Sequence, residues 1–123
     1  MKITGFSTII VTKEPEKLIK LFEDLSFEKA HLKTDIENGA NEANVFMDEN
    51  GNRISIVSSK VVPQDVTAVN INVDNFEEAY DFFISHGFVN PRGDRVTDTG
   101  SSKATMLFAP TGAAVNIVEH IKN

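Results

Sequence analysis

Asp48-Glu49-Asn50-Gly51-Asn52-Arg53-Ile54-Ser55-Ile56-Val57 and Ala109-Pro110-Thr111-Gly112-Ala113-Ala114-Val115-Asn116-Ile117-Val118 stand 61 residues apart and share one pattern. Each has a turn around a glycine and then a run of β-branched residues, which reads as the second half of a β-hairpin. Asn50-Gly51 is a strong hairpin signal, and Thr111-Gly112 takes its place in the second stretch. The same shift of 61 aligns the rest of the chain without a gap. It pairs Ile10 with Ile71, Glu16 with Glu77, Phe22 with Phe83, Phe27 with Phe88, Gly39 with Gly100, and Ala43 with Ala104. With Gly51/Gly112, Ile56/Ile117 and Val57/Val118 the identities are two to three times what chance gives at average composition, roughly. Two copies at this period exclude a solenoid and point to a duplicated module, residues 1–61 and 62–123.

Working outward, each copy offers the same elements. Phe6 to Thr12 alternates and is β-branched, so it reads as a strand. Lys13-Glu14-Pro15-Glu16 opens a helix, because proline suits the first turn and acids suit the positive helix end. Leu18, Ile19, Leu21, Phe22 and Leu25 make its apolar face. In the second copy Val69 to Val73 is the strand and Asp74 or Asn75 the cap. Phe76, Ala79, Tyr80, Phe83 and Ile84 form the helix face, and Gly87 the stop. A weaker strand follows each helix, about 27–33 and about 88–96. Polar stretches at 34–42 and 97–103 read as loops, and the hairpins close each copy. The order is βαβββ, twice: an α+β fold of two tandem modules whose curved mixed sheets surround a cleft, with helices outside.

Strand alternation sorts the side chains. Ile54 and Ile56, Val69, Ile71 and Val73, and Val115 and Ile117 make a branched face that must lie under the helices. The opposite face carries Arg53, Ser55, Asn70, Asn72 and Asn116, which are costly to bury dry. Pairing the hairpins about their turns sets Phe46 beside Ser55 and Leu107 beside Asn116 on this polar face. The expected lining is a few hydrogen-bonding groups with Phe46 and Leu107 as apolar floor, a composition that suits a small-molecule pocket. A face that is only solvated, or that joins two subunits, gives the same alternation. Ile9, Val11, Val57 and Val118 offer apolar surface for a homodimer.

Composition narrows the classes. The chain has 123 residues, no cysteine and a net charge of -6. Disulfides, thiolate metal sites and a cysteine nucleophile are excluded. No basic stretch exists to follow a phosphate backbone, so nucleic acid is not expected as a partner. No apolar run approaches membrane-spanning length, and no apolar segment follows Met1, so a cytoplasmic protein without a membrane partner is expected.

Ser7-Thr-Ile-Ile-Val-Thr12, Leu18 to Phe27, Asp48 to Val57, Val69 to Tyr80, His86-Gly-Phe88 and Ala109 to Val118 resemble, in order, the vicinal oxygen chelate superfamily. This is the fold of glyoxalases, bleomycin-resistance proteins and extradiol dioxygenases. Metal enzymes of that superfamily hold one divalent ion with His, Gln or Glu from the first and last strands of each module. The matching positions here are Ser7, Ser55, Ala68 and Asn116, with equal spacing of 48 in both copies. Serine hydroxyls, an amide and a methyl group are not the imidazole or carboxylate that such ions require. The resemblance therefore implies a member with no metal and no cofactor, binding a small organic molecule as bleomycin-resistance proteins do. Arg53, Ser55, Asn70, Asn72 and Asn116 would supply the polar contacts and Phe46 and Leu107 the floor.

The rival is a metal-independent lyase, isomerase or epimerase using His31 or Glu119. His31 and Arg92 occupy matching places after each helix and are candidates for an anionic ligand. His86, before Gly87, reads as a helix-end residue. Glu119 and His120 are adjacent in a strand, so they point to opposite faces and make a poor acid-base pair.

Overall fold

The computed structural model describes residues 1–36 and 41–121. Among these lie eight strands and two helices, in the order β1 (Ile3–Thr12), α1 (Pro15–Asp24), β2 (Glu28–Ile36), β3 (Asn41–Met47), β4 (Arg53–Ser58), β5 (Val66–Val73), α2 (Phe76–Ser85), β6 (Thr97–Asp98), β7 (Ser102–Phe108) and β8 (Ala114–His120). This is βαβββ twice, and the first residues of the two helices, Pro15 and Phe76, stand 61 positions apart.

The chain divides into two units, residues 7–67 and residues 1–6 with 68–123. In the first, β1 runs parallel to β4, β4 antiparallel to β3, and β3 antiparallel to β2. In the second, β5 runs parallel to β8, β8 antiparallel to β7, and β7 antiparallel to the short β6. The start of the chain belongs to this second unit. There the Asp74 N–H donates to the Lys2 carbonyl at 3.1 Å, and the Lys2 N–H to the Asp74 carboxylate at 2.6 Å.

Each helix covers the branched face of its own sheet. Under α1 the buried residues are Phe46, Ile54 and Ile56, packed by Ile10, Leu18, Ile19, Phe22 and Phe27. Between α2 and its sheet they are Ile71, Val73, Leu107 and Ile117 from the strands and Phe76 and Ala79 from the helix. Burying one such side chain is worth about 1.5–3 kcal/mol, so this packing dominates each unit. Leu21 and Leu25, expected on the apolar face of α1, are instead about half exposed.

The two helices end in the same way. Phe27 donates its N–H to the Phe22 carbonyl (2.9 Å), and Phe88 to that of Phe83 (3.1 Å). These are the six-residue closures of a helix C-terminus whose next residue is left-handed. In both, the two phenylalanines meet edge to face at 5.3 Å. Gly87 takes the left-handed position in the second copy (φ 91°), but Ser26 takes it in the first (φ 72°). At the start of α2 the Asn75 side chain accepts from the Glu78 N–H (3.0 Å), as the capping reading anticipated.

One expected strand is absent. Residues 88–96 form a turn, with only an isolated bridge between Val89 and Phe108. The Gly93 N–H donates to the Asn90 carbonyl (3.1 Å), and the Asn90 side chain accepts from the Arg92 N–H (3.0 Å). Asn90-Pro91-Arg92-Gly93 has asparagine first, proline second and glycine last, the residues a tight turn favours. The strand lies later, at Thr97–Asp98, inside the stretch read as a loop. The loop expected at 34–42 falls partly on residues 37–40, outside the described residues; β2 runs to Ile36 and β3 begins at Asn41.

Two stability predictions follow from these local features. Ser26→Gly relieves a left-handed serine and should raise unfolding stability by about 1 kcal/mol. A urea midpoint that does not rise contradicts this. The Thr105 hydroxyl is buried on the helix side of β7 with no hydrogen-bond partner among the described residues. Thr105→Val should therefore also stabilise, by about 1 kcal/mol, and a lower melting temperature would show that the hydroxyl is satisfied after all.

Candidate functional site

The hairpin turns decide which side chains share the face away from the helices. Both turns hold three residues rather than two. The Gly51 N–H donates to the Asp48 carbonyl (3.2 Å) and the Asp48 N–H to the Asn52 carbonyl (3.0 Å). Gly112 to Ala109 (2.9 Å) and Ala109 to Ala113 (2.8 Å) repeat this in the second unit. Gly51 and Gly112 carry the positive φ that such a loop needs.

An odd loop shifts the pairing by one residue, and a shift of one sends every side chain to the other face. Phe46 therefore sits opposite Ile54, and Leu107 opposite Val115. Both are fully buried in the helix-side cores, so neither forms the floor expected of it. Val45 pairs with Ser55 and Met106 with Asn116 in their stead.

The second unit gathers three of the expected polar residues. Asn70 and Asn116 are direct partners across β5 and β8. The Asn116 Nδ2 donates to the Asn70 Oδ1 at 2.8 Å, and the Asn70 Nδ2 reaches the Asn72 Oδ1 at 3.5 Å. All three amides are half-buried. Met106, Ala68 and Val118 share their side of the sheet, the last two buried. Gly5 completes the row: a methyl group there would come within 2.8 Å of the Asn72 Nδ2. Glycine inside a strand marks such a close approach, and that signal stood in Ile3-Thr4-Gly5-Phe6 unread. Met106 and Val45 were missed because the register was taken from a two-residue turn.

In the first unit Ser55 is the partner of Ile9 in β1 and of Val45 in β3. Ser7 lies on the same side of β1, two residues before Ile9. Arg53 is exposed at the turn end of β4, opposite Met47. Of the four apolar residues offered for a dimer interface, Ile9 and Val118 are buried within the chain and Val11 and Val57 are half-buried. They do not form the exposed surface expected of them.

The four positions that match metal ligands do not fit a divalent ion. Ala68 brings a buried methyl, and Asn116 turns its amide nitrogen to Asn70. Ser7 and Ser55 bring hydroxyls without charge. Among the described residues no three of His, Asp and Glu gather. Such ions need imidazole or carboxylate donors.

The remaining candidates are spread out. Glu119 lies on the helix side of β8, where its carboxylate accepts the Phe76 N–H (2.7 Å) and caps α2. It is therefore not an acid or base on the amide face. His120 follows on the opposite side, exposed, at the strand's end. His86 caps α2, its Nδ1–H donating to the Phe82 carbonyl (2.8 Å) while the ring stacks on Phe82 at 4.3 Å. Arg92 lies in the turn and donates to the Thr97 hydroxyl (3.2 Å). His31 pairs with Val45 across β2 and β3, and its side chain lies outside the described residues.

A groove of about 560 Å³ lies elsewhere, beside Leu25, Ser26, Glu28, Lys29, Met47 and Asp48. It is an open groove of mostly exposed residues. Its Asp48 carboxylate already accepts from the Asn52 side chain (2.8 Å) and from the backbone N–H groups of Asn50 and Asn52. The Asn52 side chain, above all, holds that carboxyl below its ordinary pKa. A carboxylate so occupied serves the turn rather than a ligand.

No family model matches the chain, and no curated protein sequence does. Solved structures do. Methylmalonyl-CoA epimerase from Mycobacterium tuberculosis matches 98% of this chain over 90% of its own, with a TM-score of 0.70 at 13% identity. The chain has the vicinal oxygen chelate fold. Glyoxalase I from Zea mays matches 98% of it with a TM-score of 0.69 at 16% identity, and here the chain spans 44% of the matched protein. A glyoxalase/bleomycin resistance protein/dioxygenase superfamily member from Vibrio splendidus matches 94% over 97%, with a TM-score of 0.62 at 12% identity. At such identities the likeness is one of fold, so function rests on the side chains that this vicinal oxygen chelate fold displays. No helix among the described residues is long and apolar enough to cross a membrane.

The close fit of Gly5 and Asn72 is directly testable. Gly5→Ala should cost under about 1 kcal/mol, because the clashing atom is the free end of a side chain. It should nevertheless move the Asn72 and Asn70 side-chain amide resonances in a ¹⁵N spectrum. Unmoved amide signals in the folded variant would refute the contact.

Proposed function

We propose that this chain binds a small organic molecule on the amide-lined face of its C-terminal unit, without a resident metal ion. The Asn116–Asn70 hydrogen bond carries the reading. Two amides side by side on a half-buried sheet face, with Met106, Ala68 and Val118 around them, combine an apolar surround with directional polar groups. α2 packs on the other face of β7 and β8, and a ligand gives this polar face a use. The four positions where relatives of this fold carry metal donors lack carboxylate and imidazole, which supports recognition by neutral hydrogen-bonding groups.

A metal-independent epimerase, isomerase or lyase is the second reading, and its support is the likeness to methylmalonyl-CoA epimerase. Such a reaction needs an acid or base at the substrate. Glu119, one of its two expected carriers, is spent on capping α2. That places the weight on binding.

Native mass spectrometry of freshly purified protein tests both. The expected spectrum shows the chain with a retained organic mass that is lost on denaturation and is missing from Asn116→Leu. Incubation with Ni, Zn, Mn or Fe should leave no ion after desalting. One retained ion per chain would sink the metal-free reading. The same spectrum counts subunits and so decides whether the homodimer exists.

A further inference from the structure

Asn50-Gly51 is a chemically reactive pair as well as a turn. Asparagine is a labile residue, and its carboxamide carbon can be attacked by the backbone nitrogen of the next residue. Glycine there has no side chain to hinder the approach. The surroundings in this chain permit it. Asn50 and Gly51 are both exposed, and a methyl group on Gly51 would meet no atom within 4 Å. The Asn50 carboxamide makes no hydrogen bond among the described residues, so it can turn toward that nitrogen. The asparagines of the amide face are placed otherwise. Asn70 and Asn116 precede isoleucine and Asn72 precedes valine, within strands whose ladders fix the backbone.

The same turn restrains the reaction. The Gly51 N–H, whose proton must leave, donates to the Asp48 carbonyl (3.2 Å). The Asp48 carboxylate accepts from the Asn50 N–H (3.0 Å), the Asn52 N–H (2.8 Å) and the Asn52 side chain (2.8 Å), which holds the loop closed. Attack therefore waits for the turn to open, and one such hydrogen bond shifts an opening equilibrium by about fivefold.

We propose that Asn50 is a site of spontaneous deamidation, gated by Asp48. The Gly51 nitrogen bonds to the Asn50 Cγ, the Cγ–Nδ2 bond breaks, and the Gly51 proton leaves with Nδ2 as ammonia. The cyclic imide so formed takes up water at either carbonyl, with no oxidant or reductant involved. Opening on one side leaves aspartate. Opening on the other leaves isoaspartate, whose main chain runs through the former side chain and is one carbon longer. The three-residue loop sets the register of β3 on β4, so a longer main chain disturbs the hairpin. Thr111, which precedes Gly112 in the second hairpin, has no carboxamide, so that turn cannot follow.

The test ages the folded wild-type protein in warm, mildly alkaline buffer beside the same chain unfolded in urea. Peptide mapping by mass spectrometry follows the exchange of an amino group for a hydroxyl at Asn50. Fragmentation resolves it from Asn38-Gly39, which lies outside the described residues. Asn50 should convert in the folded protein, about fivefold or more slowly than in urea. Asp48→Ala should recover most of that difference, with Asn52→Ala as a second variant should the first fail to fold. An Asn50 that stays intact in the folded protein while the unfolded chain converts overturns the site. Equal rates in the folded and unfolded wild type, or a folded variant no faster than wild type, overturn the gate. The isoaspartate form, isolated by chromatography, should unfold at lower urea than the wild type. Asn50→Asp, with the same charge and an ordinary backbone, should keep the wild-type midpoint. An isoaspartate form as stable as the wild type would overturn the effect on the hairpin.

Discussion

Each sheet must bury one face under a single helix, and the rest of the structure depends on that constraint. A ten-residue helix has one apolar stripe, and one stripe covers one side of a sheet. The branched rows Ile54-Ile56 and Val115-Ile117 give the helices something to cover, with Phe46 and Leu107 beside them. The opposite face is one that this helix does not cover, and in the second unit it carries Asn70, Asn72 and Asn116. Core and candidate site are thus the two sides of the same strands, separated only by the period-two alternation of a pleated chain.

The duplicated module explains why the two halves share details beyond their element order. The Phe22–Phe27 and Phe83–Phe88 pairs do the same job at the same distance, locking each helix end onto its sheet. The three-residue turns around Gly51 and Gly112 close both hairpins with the same two hydrogen bonds. Where the copies differ, the chemistry differs. Asn70 and Asn116 are neighbours in one unit, and Ile9 and Ser55 are their counterparts by position in the other. The second unit carries two amides at these positions, and the first carries an isoleucine and a serine.

The vicinal oxygen chelate fold places first and last strands of each module side by side, which is why it can hold a metal when those strands carry the right donors. Here the parallel β5·β8 pair still brings two polar side chains together, but they are amides that bind each other.

Much of the fold was legible in the residues alone. The repeat, the βαβββ order, the helix starts and stops, and the grouping of Asn70, Asn72 and Asn116 on one face follow from periodicity and from local turn chemistry. These depend on neighbours in sequence, and neighbours in sequence are visible. The placement of Phe46 and Leu107 was not, because it turns on whether a glycine loop holds two residues or three, a difference of one backbone hydrogen bond. Nor was the fate of Glu119, whose carboxylate caps a helix begun more than forty residues earlier. Only tertiary structure decides such matters, since burial and long-range hydrogen bonds are set by which strands lie side by side.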